Sequence, residues 1–267
     1  MRFARTYVLA FSCLFLVFPL FAQQTATTIQ RDPQAINLLA QSLAAAGGPV
    51  ISTIQDFTAT GTITYSWANR PVSGSVNIYS KGLTEFRMES SVPAGTQELV
   101  VSGQEATLTP AYSTKAESPI FGMVTAGSLT FPAARISQIL SNASISVVFL
   151  GPVEWNGSQT YQIHIALPPD PRLTAGPNFS GLGEFNLYFD AHSYQLLGLT
   201  ERIWWDSDLR QSYAHELLFS DYRPINGMSV PFTITEKMSS QQTWSVSLNS
   251  ISFNTGLSDA LFQPQAL

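Results

Sequence analysis

The residues able to do side-chain chemistry are few and scattered. His164, His192 and His215 fall in separate stretches, with no two histidines four apart and no thiol near any of them, so the ligand set of a structural zinc site is missing. His164 takes the polar side of the alternating run Tyr161-Gln162-Ile163-His164-Ile165, the position of an ordinary surface residue. Asp190 with His192, and Asp206-Ser207-Asp208, are short clusters of turn-forming type, because Asp and Ser side chains bond to nearby backbone. Calcium binding is the alternative use of Asp206-Ser207-Asp208. Glu85, Glu89 and Glu98 could converge on a sheet face as the paired acids of a glycoside hydrolase, whose carboxylates come from distant strands. As charges on the solvated side of strands they need no such role. There is no Gly-x-Ser-x-Gly elbow, phosphate-binding glycine loop or dinucleotide fingerprint. The expectation is a protein without catalytic residues, metal or cofactor.

Composition points to a neutral-surfaced globular chain. Of 267 residues, 45% are hydrophobic and only 12% charged, about half the usual charged share, which excludes an intrinsically disordered chain. A formal charge of −5 provides no basic field for a phosphate backbone, so nucleic acid is excluded as a partner on electrostatic grounds. The N-terminus reads Met1-Arg2-Phe3-Ala4-Arg5, an apolar run from Tyr7 to Phe21, then Ala22-Gln23-Gln24. This is the pattern of a secretory signal peptide over residues 1–22, and the apolar run is shorter than a membrane-spanning helix requires. The single cysteine, Cys13, lies inside that run, so the mature chain has no disulfide and no lipidated cysteine. A periplasmic or secreted protein follows, not integral to the membrane and monomeric.

Residues 23–30 read as a flexible lead, and residues 31–267 as one domain. Asp32-Pro33 supplies an N-cap and a first-turn proline for a helix carrying Ile36, Leu39, Ala40 and Leu43, ended by Gly47-Gly48-Pro49. From Asp56 to Trp67 the period changes to two, with Phe57, Ala59, Gly61, Ile63, Tyr65 and Trp67 on one face and Thr or Ser on the other. Similar alternation recurs at 72–80, 84–90, 97–102, 145–150, 160–167, 183–190, 195–205, 211–221, 230–237 and 243–253, eleven strands in all. Thr130-Phe131-Pro132 opens a second helix with Ile136, Ile139 and Leu140, while 110–125 and 168–183 are irregular. The predicted class is mainly β, a single curled antiparallel sheet or incomplete barrel covered by about two helices. Trp204-Trp205 and Trp67, at strand ends, could rim a cavity mouth.

Several stretches together carry a resemblance. They are the strand-turn-strand run Asp221-Tyr222-Arg223-Pro224-Ile225-Asn226-Gly227-Met228-Ser229-Val230-Pro231-Phe232, the tail Leu257-Ser258-Asp259-Ala260-Leu261-Phe262 before Gln263-Pro264, the helix end Ala46-Gly47-Gly48 and the strand Leu187-Tyr188-Phe189-Asp190. In order and spacing the chain resembles the periplasmic proteins related to the outer-membrane lipoprotein carriers LolA and LolB. That resemblance implies a half-barrel with helices over its open side and a hydrophobic cavity that holds lipid or the acyl chains of lipoproteins. It also implies an arginine early in the sheet that locks the lid; Arg70 and Arg87 are the only arginines in that region, and neither sits in a motif that aligns. The candidate cavity residues, all on the buried parity of their elements, are Phe57, Ile63, Tyr65, Trp67, Ile78, Phe86, Met88, Ile136, Ile139, Phe149, Phe185, Leu187, Phe189 and Phe219. By period alone the same residues could fill a solid core. The reading is a carrier or binding protein for a hydrophobic ligand, with lipid or a lipidated protein as partner. A non-transporting envelope interaction or sensor module that contacts another envelope protein, and a carboxylate-based hydrolase, remain open as alternatives.

Overall fold

Alternation of period two dominates the chain, and each alternating run becomes a strand of one sheet. The structure, a computed structural model, describes residues 29–67, 70–103, 105–111, 132–168, 183–205 and 208–263. The leader and most of the lead therefore lie outside the described residues, as does the side chain of Trp67 and those of Trp204 and Trp205.

Twelve strands are present among the described residues: β1 (Asp56–Trp67), β2 (Arg70–Lys81), β3 (Glu85–Val92), β4 (Gly95–Ser102), β5 (Glu105–Thr109), β6 (Ser146–Trp155), β7 (Ser158–Ala166), β8 (Glu184–Asp190), β9 (Leu196–Trp205), β10 (Asp208–Ile225), β11 (Met228–Met238) and β12 (Gln241–Phe253). They form one unclosed antiparallel sheet in the order β5-β4-β3-β2-β1-β12-β11-β10-β9-β8-β7-β6. Neighbours in sequence are neighbours in the sheet, except that β5 and β6 are not paired and β12 returns beside β1. The edges are β5 and β6, and the chain between them carries the second helix.

The predicted class stands, with two corrections of detail. The twelfth strand, β5, is five residues long and too short for a period to register. The run read as ending at Leu150 continues to Trp155, because Gly151, at φ +109°, takes up a bulge between Phe149 and Gly151 instead of turning the chain. The hairpins use the turns their residues favour. Asn226-Gly227 joins β10 to β11 with both φ angles positive, 51° and 81°, the primed turn that suits strand twist.

Helix α1 (Pro33–Ala46) starts as its residues dictate: the Asp32 side chain accepts from the Gln34 N–H, and Gly47 closes the other end at φ +132°. Its buried stripe is Ala35, Leu38, Leu39 and Ser42, with Ile36 and Leu43 flanking it. Ala40, read from the sequence as part of the stripe, faces solvent, because small Ala35 and Ser42 allow close approach on the adjoining face. Helix α2 (Pro132–Ser141) buries Ala133, Ile136 and Ile139. Both helices join one core cluster with the inward-facing strand residues, so they lie together over one face of the sheet. On the opposite face a short 3-10 turn, Asp259–Phe262, lays Phe262 fully buried against β3 and β4.

Candidate functional site

The inner face of the sheet collects most of the candidate residues on one surface. Phe57, Ile63 and Tyr65 from β1, Ile78, Phe86 and Met88 from β2 and β3, Phe185, Leu187 and Phe189 from β8, and Phe219 from β10 are all buried in one cluster, and Ile136 and Ile139 press on it from α2. Phe149 is half-buried at the β6 edge, its ring centroid 6.0 Å from that of Tyr161. The Tyr65 hydroxyl is engaged by Ser90, at 2.9 Å, and accepts from the Gln97 amide, so the phenol is buried without an unpaired polar atom. Burial raises its pKa above the ordinary tyrosine value.

Helices and sheet meet closely. Between the end of α1, the start of α2 and the β8–β9 and β10–β11 turns lies a pocket of about 20 Å³ lined by Ser42, Ala46, Ile136, Leu196, Tyr222 and Pro231 among others. That is room for about one water molecule. An acyl chain does not fit in that pocket as it stands.

One row of this apolar face is ionic. Three neighbouring strands place ionisable residues on the inward parity: Glu201 between Leu199 and Ile203, His215 before Leu217 and Phe219, and Glu236 after Phe232 and Ile234. Glu201 and His215 are cross-strand partners. His215 is fully buried, with Nδ1 2.9 Å from Glu201 Oε1 and Nε2 3.1 Å from Glu236 Oε1. Burial by itself would lower the imidazole pKa, but the two carboxylates outweigh it and raise the value to about 9. At neutral pH the ring is cationic and donates through both nitrogens. Thr243 donates to the other oxygen of Glu236. The row continues through Phe185, paired with Glu201, to Arg135 of α2, whose guanidinium carbon lies 4.7 Å above the Phe185 ring centroid.

Sequence reasoning passed over this cluster, although its signal was present: three ionisable residues share the parity of buried neighbours in adjacent strands. Of the clusters it did weigh, Asp206, Ser207 and the Asp208 side chain lie outside the described residues, and the others have plain structural uses. Arg87 binds Glu89 and Glu98 and also donates to the Leu261 carbonyl, so Glu89 and Glu98 meet on the outer face as an ion-pair network anchoring the tail. Asp190 accepts from the backbone of His192 and Ser193, the expected turn. His164 contacts Asn186 and Glu184 on the outer face, as its parity predicts.

The arginine that grips a covering helix is neither Arg70 nor Arg87. Arg31 donates to the carbonyls of Ile139, Leu140, Asn142 and Ile145 at 2.8–3.2 Å, satisfying the orphan acceptors where α2 ends. Its own backbone bridges to Val147 of β6, with Asp32 N–H donating to Val147 and Val147 N–H donating to Gln30. Helix, lead segment and sheet edge are thereby joined at one residue.

The comparison with solved structures identifies the fold. A LolA superfamily protein from Nitrosomonas europaea matches over 86% of this chain and 97% of its own, at 13% identity and a TM-score of 0.52. The chain has a LolA-like fold. A DUF1329 family protein from Desulfovibrio piger matches this LolA-like chain over 87% of its length and 98% of the other's, at 14% identity and a TM-score of 0.51. No family model and no curated protein sequence matches it. Among the described residues of this LolA-like protein, no helix is long and apolar enough to cross a membrane.

Proposed function

We propose that this LolA-like protein binds a hydrophobic ligand, lipid or the acyl chains of a lipidated protein, between the inner face of its sheet and helices α1 and α2, after export to the periplasm. The observation that carries this reading is an inner sheet face that is apolar apart from one ionic row and is covered by two short helices in a lipid-carrier-like fold. A helix pair resting on a sheet can lift as a unit, whereas a second packed sheet cannot. Exchanging helix side chains for ligand carbon keeps the face dry. Each buried methylene contributes about 0.8 kcal/mol, so ten of them supply about 8 kcal/mol, the equivalent of micromolar binding before the cost of lifting the helices. The fourteen residues named from the sequence are the proposed contact set, which includes the fully buried Phe86 and Phe189.

Catalysis is not part of the proposal. His215 gives both ring nitrogens to carboxylates, which leaves it no lone pair to act as a base. The test is direct. Native mass spectrometry of protein taken from the cell envelope should show co-purified lipid, and the delipidated protein should take up a fluorescent fatty-acid probe with one-to-one stoichiometry. Protein that carries no lipid and takes up no probe overturns the reading.

A further inference from the structure

Arg135 is oddly placed for a residue of a purely apolar interface. It lies one helical turn before Ile139 on α2, on the side of the helix that meets the sheet. Its guanidinium rests on the face of Phe185, a ring only 3% exposed, and it is half-buried itself. Burial lowers its pKa, and the neighbouring Glu201 carboxylate opposes that shift. Among the described residues nothing accepts a hydrogen bond from it. Among the described residues two purely structural uses of an arginine are therefore missing: it closes no hydrogen-bonded ion pair, and it caps no carbonyl.

We propose that Arg135 is the headgroup anchor of the site: held on Phe185 in the ligand-free protein and carried with α2 when the helices lift, its guanidinium fork binds the oxyanion of an amphipathic ligand, a carboxylate or phosphate, whose tail lies on the apolar inner face. A planar guanidinium matches two oxygens at once, and in the ligand-free protein the ring beneath holds its plane without using any N–H. The row Glu201–His215–Glu236, its ions paired with one another, runs on from Phe185, while Leu187 and Phe189 continue the apolar path along β8. The ligand class is thus an acidic amphiphile and not a neutral hydrocarbon. This inference rests on the apolar-ligand reading above, and its test separates the two.

The probes share one tail: dodecanoate, dodecyl phosphate, dodecan-1-ol and dodecylammonium, titrated calorimetrically into delipidated mature protein at neutral pH. The two oxyanions should bind at least about 10-fold more tightly than the alcohol, the size expected of a charge-assisted pair in a partly desolvated site. Arg135→Gln should close that gap, bringing the oxyanions to the affinity that the same variant shows for the alcohol. Arg135→Lys, which keeps the charge and loses the fork, should retain part of the gap, and it decides the matter if the glutamine variant does not fold. Equal affinity for oxyanion and alcohol overturns the anchor and leaves the apolar-ligand reading standing. Tightest binding of dodecylammonium, or an oxyanion gap that survives Arg135→Gln, also overturns it. No binding of any probe overturns both readings together.

Discussion

His215 should make the stability of this protein fall as pH rises through the mildly alkaline range. Unfolded, its imidazole titrates near 6.5; folded, between Glu201 and Glu236, near 9. Below 6.5 both states hold the proton and the cluster contributes fully. Between 6.5 and 9 the native state holds one proton more than the unfolded state, so the unfolding free energy drops by about 1.4 kcal/mol per pH unit. Above 9 both states are neutral and the contribution is lost. The total comes to about 3 kcal/mol, a large share of a typical domain's stability. The assay is urea unfolding at intervals from pH 6 to 9.5 on the wild type and on His215→Gln. The variant should be less stable at pH 6, because two buried carboxylates lose their cation, and its profile should lack the wild type's alkaline decline. Parallel profiles for the two proteins, or an NMR titration placing His215 near 6.5 in the folded state, would refute the reasoning.

Arg31→Gln removes four bonds to carbonyls at the end of α2, and hydrogen exchange over residues 132–141 should speed up by at least about 10-fold while the central strands stay protected. Phe189→Ala, at a fully buried position, should cost about 3–5 kcal/mol in urea unfolding of the ligand-free protein; a loss below 1 kcal/mol would mean that the inner face is not packed as described. Gly198→Ala puts a methyl group 2.2 Å from the Leu217 carbonyl oxygen and 2.5 Å from the Trp155 ring, which stacks on Tyr188, so the β9–β10 pair must distort. A melting temperature within about 1 °C of wild type would contradict that crowding, since a loss of 1 kcal/mol shifts a chain of this size by about 2–4 °C.

The architecture was legible because sheet formation is written in period two. Phe57, Ala59, Ile63 and Tyr65 alternate with threonines, and a half-buried strand is the arrangement that buries one set and wets the other. Capping was equally local: Asp32-Pro33 and Gly47 determine α1 through bonds within a few residues of each other. The Asn226-Gly227 turn needed only the tolerance of those residues for positive φ. Gly151 misled because a glycine before a proline favours a turn and a bulge alike, and pairing with β7 made the choice.

What tertiary structure alone decided is which residues share a neighbourhood. Residue parity places Glu201, His215 and Glu236 on buried faces one at a time, but only the pairing of β9 with β10 and β10 with β11 turns three costly burials into one compensated cluster. Arg135, on a helix joining the two edges of the sheet, meets Phe185 through packing that no local pattern encodes. Arg31 reaches the carbonyls of α2 across more than a hundred residues of chain, because its own segment bridges to β6 beside the helix end. Periodicity is a property of neighbours along the chain and is settled by burial alone. A site is a property of neighbours in space, settled by register and by the route the chain takes between strands.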